Sequence, residues 1–153
     1  MIYLVGSLRN PKLPELGQTL RKEGFEVWDD WFAGGEKADD SWQSYEIQRG
    51  RTFSEAIYTA YAQHIYDFDK KYIDLATTGI LLMPAGKSGH LEIGYMAGQG
   101  KETFILFDKE PERYDVMYQF CTGVYFNLEG LLDALFRSGV EKTTRRIVEC
   151  ANR

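Results

Sequence analysis

One stretch of the chain predicts a strand, a loop, a helix and a second strand in close succession. Residues 80–83 are a short apolar run of the length that suits a buried strand. Residues 84–89 contain proline and glycine, which continue neither a strand nor a helix. From His90 the apolar residues recur at spacings of three and four, which is typical of a helix, and Gly100 marks its end. Residues 103–107 are apolar again, so the stretch has the order of a parallel-sheet unit.

Glu92 is the candidate functional residue of this stretch. It lies in the first turn of the helix predicted to begin at His90, just beyond the carboxyl end of a strand, where open α/β sheets bind ligands. The positive end of the helix dipole explains a first-turn acid equally well. Gly89 and Gly94 favour a ligand site, because they allow a substrate to approach the carboxylate closely. The helix is expected to bury four apolar residues, Leu91, Ile93, Met96 and Ala97.

Apolar runs elsewhere complete a predicted sheet. Strands are expected at residues 2–5, 25–28, 80–83, 103–107 and 124–126. Each strand except the last is expected to precede a helix, which predicts a doubly wound, five-stranded parallel sheet of order 2-1-3-4-5. The order of the sheet reverses between its first and third strands. The loop at Gly6 and Ser7 is therefore expected to meet the loop that precedes Glu92.

A long helical insertion is predicted after the second strand. It runs over residues 42–66, with a start signal at residues 39–41 and a break near Gly50. Its many aromatic residues suit contact with a partner subunit or a cover over the site, and plain core packing explains them too. A separate short helix is expected over residues 67–74. Further helices are expected after Pro11 and over residues 128–136, and Arg145 and Arg146 lie in a polar tail.

Three segments together resemble the nucleoside 2-deoxyribosyltransferase family. In residues 88–101, SGHLEIGYMAGQGK, a small-residue loop precedes a glutamate in an E-x-G-x-A-like helix start. Residues 2–7, IYLVGS, are similar to the family's opening strand and turn. Asp69 precedes the third strand at about the interval where the family has a base-contacting aspartate. The resemblance covers about residues 1–107 and implies a flavodoxin- or Rossmann-like fold for a single domain spanning the chain.

The resemblance implies a catalytic role for three residues. Glu92 matches the family's nucleophile, which takes the 2-deoxyribosyl group in a retaining double displacement and passes it to a second base or to water. Asp69 would donate a proton to the departing base if burial raises its pKa. Tyr3 would orient Glu92. The cleavage needs two carboxyl groups in different ionisation states, and Glu92 is expected to be ionised near its helix N-terminus.

The loop after the first strand offers candidates for substrate binding. Gly6, Ser7 and Arg9 are explained by a tight turn with a solvated arginine, or by contacts to a sugar hydroxyl or a 5′-phosphate. The deoxynucleoside-monophosphate glycosidases, one branch of the same superfamily, have a first loop similar to GSLR. Neither interpretation is preferred on the sequence alone.

Two further groups of residues are candidates for the same site. Ser88 and Gly89 lie in the loop before the nucleophile, and His90 is expected to position that loop. Trp31 and Phe32 lie in a glycine-flanked loop after the second strand, where an aromatic ring is expected to stack on a nucleobase. The sequence departs from the family pattern in two places: the loop ahead of Glu92 is short, and residues 76–78 contain no acid. In the family a neighbouring chain supplies a further residue, for which Asn127 is a weak match.

Composition limits the partners. The 153 residues carry a net charge of −5, which argues against binding of polymeric nucleic acid, because phosphate contacts need clustered Lys and Arg. No apolar run reaches the ~20 residues of a membrane span, and the N-terminus lacks the pattern of a signal peptide. Cys121 and Cys150 have neither metal-ligand spacing nor the number needed for a disulfide framework. The expectation is a cytoplasmic, metal-free protein without a cofactor.

Three functions are compatible with these residues. The first is a nucleoside 2-deoxyribosyltransferase acting on a nucleoside and a free nucleobase, as a homodimer or larger homo-oligomer. The second is a nucleoside or nucleoside 5′-monophosphate N-glycosidase that uses the same residues. The third is a nucleotide-sensing module without catalysis. Base exchange separates the first two, and replacement of Glu92 separates both from the third.

Overall fold

The computed structural model describes residues 1–140, which form a five-stranded parallel sheet flanked by helices. The strands are β1 (Ile2–Val5), β2 (Val27–Trp28), β3 (Thr78–Leu82), β4 (Glu102–Leu106) and β5 (Gly123–Tyr125). Their order is β2-β1-β3-β4-β5, which confirms the predicted doubly wound topology. The predicted polar tail with Arg145 and Arg146, and also Cys150, lie outside the described residues.

Helices cover both faces of the sheet. They are α1 (Lys12–Lys22), α2 (Ala38–Gln48), α3 (Phe53–Ala56), α4 (Ala60–Leu75), α5 (Lys87–Gly98) and α6 (Leu128–Arg137). Short 3-10 helices follow β2 at Asp30–Gly34 and β4 at Val116–Phe120. The helix predicted over residues 128–136 is confirmed as α6, which follows β5. The expectation that each strand except the last precedes a helix is wrong for β4, which is followed by a 3-10 turn and no α-helix.

The central strands β1, β3 and β4 are mainly apolar because both faces of the sheet are buried there. Ile2 and Leu4 of β1 point to a core shared with α1 and α6, whereas Tyr3 and Val5 point to a core shared with α4 and α5. This alternation follows from the two-residue period of a strand. The parallel pairing of β1 with β3, which runs from Ile2 opposite Thr78 to Val5 opposite Leu81, sets their carboxyl ends side by side.

Helix α5 begins at Lys87, three residues before the predicted start. Gly86 is the N-cap of α5, so the loop after β3 ends there. Gly89, which was predicted to lie in that loop, is buried within the helix. Glu92 consequently lies in the second turn, and the first turn of α5 holds no acid. The expectation that placed Glu92 in the first turn is wrong.

The predicted inward face of α5 is confirmed for two of its four residues, since Ala97 is only partly buried and Leu91 is exposed. Ile93 and Met96 are buried, but Leu91 is 75% exposed. Two residues along an α-helix are about 200° apart around its axis, so Leu91 and Ile93 cannot share one narrow face.

The insertion between β2 and β3 consists of α2, α3 and α4. The predicted break is present at Gly50, which has a φ of +73°. The separate helix predicted over residues 67–74 is instead the end of α4, which continues to Leu75 without a stop signal.

Most apolar side chains of this insertion are exposed. We call the following nine the insertion surface: Tyr45, Ile47, Phe53, Ile57, Tyr58, Tyr61, Ile65, Tyr66 and Phe68. They are between 41% and 82% exposed, so core packing does not explain them. Trp28, in contrast, is 6% exposed and belongs to the core as predicted.

Two glycines of α5 provide a matched test of this packing. A Cβ at Gly94 would meet no atom within 4 Å, whereas a Cβ at Gly89 would lie 3.0 Å from Leu81 Cδ1 and 3.4 Å from Val5 Cγ1. We expect Gly94→Ala to raise the free energy of unfolding by about 0.5–1 kcal/mol, because alanine is the better helix former. Gly89→Ala should show no such gain, since Leu81 must shift. Urea unfolding of both variants measures the difference, and an equal gain would contradict this packing of α5 on the sheet.

Candidate active site

Three of the candidate catalytic side chains interact across three elements. Asp69 comes from α4, Glu92 from α5 and Tyr3 from β1, and α4 and α5 contact each other. Both carboxyl groups are half-buried, and Tyr3 is 1% exposed. The charge of Asp69 acts on Glu92, and the charges of both act on Tyr3. The structure therefore gathers into one group residues that are distant in the sequence.

Burial gives the carboxyl groups of Asp69 and Glu92 different pKa values. Burial, and after it the nearby charge of Asp69, raise the pKa of Glu92 to about 8. Burial raises the pKa of Asp69 to about 6. The expectation that a helix dipole keeps Glu92 ionised is wrong, because the dipole acts within the first turn and Glu92 lies in the second. Between these two pKa values the pair holds one proton.

Tyr3 is held by an aromatic stack that borders the carboxyl pair. Its ring lies 5.0 Å from that of Trp28, and Trp28 stacks on Tyr72 at 4.2 Å. Phe68 and Tyr72 flank Asp69 on α4, and their rings are 5.2 Å apart. Burial and the two carboxylates raise the pKa of Tyr3 well above its usual range, so its phenol stays protonated and available as a donor.

A second group of residues lines a cleft at the carboxyl ends of β1 and β3. The cleft has a volume of about 260 Å³ and is lined by Ser7, Arg9, Asn10, Pro11, Pro84, Ala85 and Gly86. It lies at the point where the strand order reverses, the usual position of a ligand in such sheets. The first loop and the loop after β3 therefore meet, as predicted. The two carboxyl groups are not among the residues that line this cleft.

Asn10 is the residue of this cleft that sequence reasoning missed. It is 5% exposed, and its Oδ1 accepts a hydrogen bond from the N–H of Lys12 at 3.1 Å. Its Nδ2 is buried and has no hydrogen-bond partner within the described part of the chain. A buried amide donor without a partner costs stability, so its presence in a cleft indicates a place for an acceptor. A polar residue directly before Pro11 at a helix start was the available signal.

The other first-loop candidates have different surroundings. Ser7 Oγ accepts a hydrogen bond from the N–H of Arg9 at 3.1 Å, which shapes the turn. Arg9 Nη2 lies 3.0 and 2.9 Å from the two carboxylate oxygens of Asp40, in the first turn of α2. A Cβ at Gly6 would contact Leu13 Cδ1, so the buried end of the Leu13 side chain would have to shift.

His90 fixes the start of α5 with both ring nitrogens. Its Nδ1 lies 2.7 Å from the carbonyl oxygen of Gly86, and since that oxygen only accepts, Nδ1 carries the hydrogen. In the neutral ring Nε2 then accepts from the hydroxyl of Tyr118 at 3.0 Å. His90 thus links the helix start to the segment after β4. Ser88 is exposed in the first turn of α5, and Gly89 is buried under it.

The two candidate stacking residues lie in the 3-10 helix after β2. Trp31 Nε1 donates to the carbonyl oxygen of Leu4 at 2.8 Å, and the ring packs against both cores. Phe32 packs against the α1 and α6 core, on the other face of the sheet from Tyr3 and Glu92. The structure thus does not bring Phe32 together with the carboxyl pair. Tyr72 and Phe68 are the aromatic residues beside that pair.

Other chemistries find little support in residues 1–140. This part of the chain contains no group of three His, Cys, Asp or Glu side chains arranged to hold a metal ion. Cys121 is a free, partly buried thiol whose pKa is raised by burial. None of the described helices is both long and apolar enough to cross a bilayer.

Comparison with known proteins adds no assignment: no protein-family model matches the chain, and no curated protein matches it significantly.

The burial of Glu92 predicts a pH dependence of stability. Its pKa is raised from 4.5 to about 8 on folding, so between these values the native state binds more protons than the unfolded state. The free energy of unfolding should therefore fall as pH rises through this window. We expect Glu92→Gln to remove roughly 2 kcal/mol of this fall, about half the value for a fully buried group, because Glu92 is half-buried.

Urea unfolding at pH 5 and pH 9 measures this effect. Glu112→Gln, at an exposed loop position, is the control and should leave the pH dependence unchanged. A fall of equal size in the wild type and in Glu92→Gln would show that the carboxyl group of Glu92 is not desolvated.

Proposed function

We propose that the protein is a nucleoside 2-deoxyribosyltransferase. It would cleave the N-glycosidic bond of a 2′-deoxynucleoside and pass the sugar to another base, through a glycosyl ester on Glu92. One observation carries this proposal: two half-buried carboxyl groups, Asp69 and Glu92, lie together beside Tyr3 with pKa values of about 6 and about 8. Two carboxyl groups whose environments shift their pKa values apart are typical of an acid paired with a nucleophile, and the family resemblance assigns the nucleophile to Glu92.

In the first half-reaction the productive form of the pair has its proton on Asp69 and an ionised Glu92, which is the minor form of the unliganded pair because Glu92 has the higher pKa. Asp69 donates this proton to a ring nitrogen of the departing base. A carboxylate oxygen of Glu92 bonds to C1′, and the electrons of the broken C1′–N bond remain with the base. Tyr3 donates a hydrogen bond to Glu92 and holds its carboxylate in position.

In the second half-reaction a nitrogen of the incoming base bonds to C1′. The C1′–O bond breaks and its electrons return to the carboxylate of Glu92, while Asp69 takes the proton of the incoming base. The two displacements retain the configuration at C1′. Tyr72 and Phe68 supply flat apolar surface beside Asp69 on which a base can stack.

A second candidate, a nucleoside 5′-monophosphate N-glycosidase, would use the first-loop cleft for the phosphate. Arg9 and the Nδ2 of Asn10, which has no partner among the described residues, are donors in this cleft, and a 5′-phosphate supplies acceptor oxygens. In that reaction water replaces the incoming base as the attacking group.

Base exchange tests the proposed reaction. The protein is incubated with a 2′-deoxynucleoside, with and without a different free base, and the products are separated. We expect a new nucleoside only when the free base is added. Free base released from monophosphates alone would establish the second candidate, and no turnover of either substrate would contradict both.

Variants assign the roles of the carboxyl groups in the same assay. Glu92→Gln should abolish turnover while retaining nucleoside binding, because the nucleophile is lost. Asp69→Asn should slow turnover about 10²–10⁴-fold, the usual contribution of a proton donor. Glu112→Gln is the control and should leave turnover unchanged. Wild-type rates in Glu92→Gln would overturn the assignment of the nucleophile.

We further propose that a second copy of the chain packs on the insertion surface. Its nine side chains are exposed beyond what a monomer usually shows. Six of the nine are aromatic, and aromatic side chains are enriched in the centres of protein–protein interfaces. The surface includes Phe68, next to Asp69, so a second copy would also exclude water near the carboxyl pair.

A matched pair of variants tests this association. Tyr58, on the insertion surface, is 82% exposed, and Tyr114, in the segment between β4 and β5, is 81% exposed. We expect Tyr58→Lys to lower the oligomer mass measured by analytical ultracentrifugation, because a charge is costly in an apolar interface. Tyr114→Lys should leave the mass unchanged. A wild-type protein that sediments as a monomer at all concentrations would contradict the proposal.

A further inference from the structure

The charge of Arg9 in the cleft is already compensated. Among the described residues that line the cleft, Arg9 alone is charged. Its Nη2 contacts both carboxylate oxygens of Asp40, at 3.0 and 2.9 Å. Asp40 comes from α2, thirty-one residues further along the chain, so the contact connects the first loop to the insertion. A ligand at Arg9 therefore meets an ion pair and not a free cation.

The ion pair affects charged and neutral ligands differently. A phosphate that contacts Arg9 must compete with Asp40 for the same guanidinium and comes close to a carboxylate of like charge. A hydroxyl group has no charge and meets neither penalty. The side chains of Arg9 and Asp40 are 65% and 61% exposed, so the pair is weak and can be opened. Asp40 should therefore weaken phosphate binding without preventing it.

Asn10 supplies the complementary donor. Its buried Nδ2 is neutral, lacks a partner within the described residues and belongs to the same cleft. It can donate to a sugar hydroxyl oxygen without any charge on the ligand. The cleft thus combines a neutral donor with a compensated cation, which matches a 5′-hydroxyl better than a dianion.

We infer that Asp40 is a specificity-determining residue that sets a preference for a neutral 5′-hydroxyl over a 5′-phosphate. It acts through Arg9 and is not itself a catalytic residue. The inference rests on the proposed function for the identification of the ligand as a 2′-deoxynucleoside. It also favours the first candidate reaction, on 2′-deoxynucleosides, over the second, on nucleoside 5′-monophosphates.

Asp39 provides the control for this inference. Asp39 and Asp40 both lie in the first turn of α2, where an acid also stabilises the helix. Only Asp40 of these two makes the ion pair with Arg9 among the described contacts. An effect of helix charge or of net charge should therefore appear equally in both variants, whereas an effect through Arg9 should appear in Asp40 variants alone.

Calorimetric titration at low ionic strength tests the inference. Wild type, Asp40→Asn and Asp39→Asn are titrated with a 2′-deoxynucleoside and with its 5′-monophosphate. We expect Asp40→Asn to bind the monophosphate about three- to fivefold more tightly, the upper range for one exposed ion pair, with nucleoside binding within about twofold of wild type. Asp39→Asn should match wild type, and adding Arg9→Gln to Asp40→Asn should remove the gain. Asp40→Ser is a second variant that keeps a residue favoured at helix starts.

Each other outcome overturns the inference. These outcomes are no gain in either Asp40 variant, an equal gain in Asp39→Asn, a gain that survives Arg9→Gln, and no binding of either ligand. Failure of the proposed function is separate, because base exchange reports it. If Asp40→Asn binds the monophosphate more tightly but the protein shows no turnover, the specificity of the cleft is established. Only the proposed enzymatic reaction is then contradicted.

Discussion

The parallel pairing of β1 with β3 is the contact on which the rest of the structure depends. It joins Ile2–Val5 to Thr78–Leu82, segments separated by the whole helical insertion. The cost of closing so long a loop grows only slowly with length, and the apolar side chains of both strands are buried in return. This one pairing creates the cleft at the strand ends and places Tyr3 under α4 and α5.

The candidate site is built at a cost to stability. Asp69 and Glu92 lose part of their hydration between α4 and α5, and each makes the other harder to ionise. The aromatic stack of Tyr3, Trp28 and Tyr72 and the two apolar cores offset that cost. The two partly buried acids, and the Asn10 Nδ2 that has no partner within residues 1–140, each cost stability, as is common at functional sites.

Sequence patterns predicted which strands and helices are present better than they predicted where each one begins or which residues surround it. Continuous apolar runs identified the strands and their order, because a strand buried on both faces has few alternatives. The start of α5 was placed too late, since glycine inside a helix resembles a loop until its packing against Leu81 is known. The predicted ionisation of Glu92 was wrong for a related reason. A pKa depends on burial, and burial depends on neighbours from other elements.

By itself, the sequence determined the topology of the sheet and the location of its reversal point. These follow from residue periodicity and from the geometric rules of parallel sheets, which act locally. Only the tertiary structure decided the ionisation of Asp69 and Glu92, the role of His90 at the start of α5, and the partner of Arg9. Such properties depend on distances between segments far apart in the chain, and no local pattern encodes them.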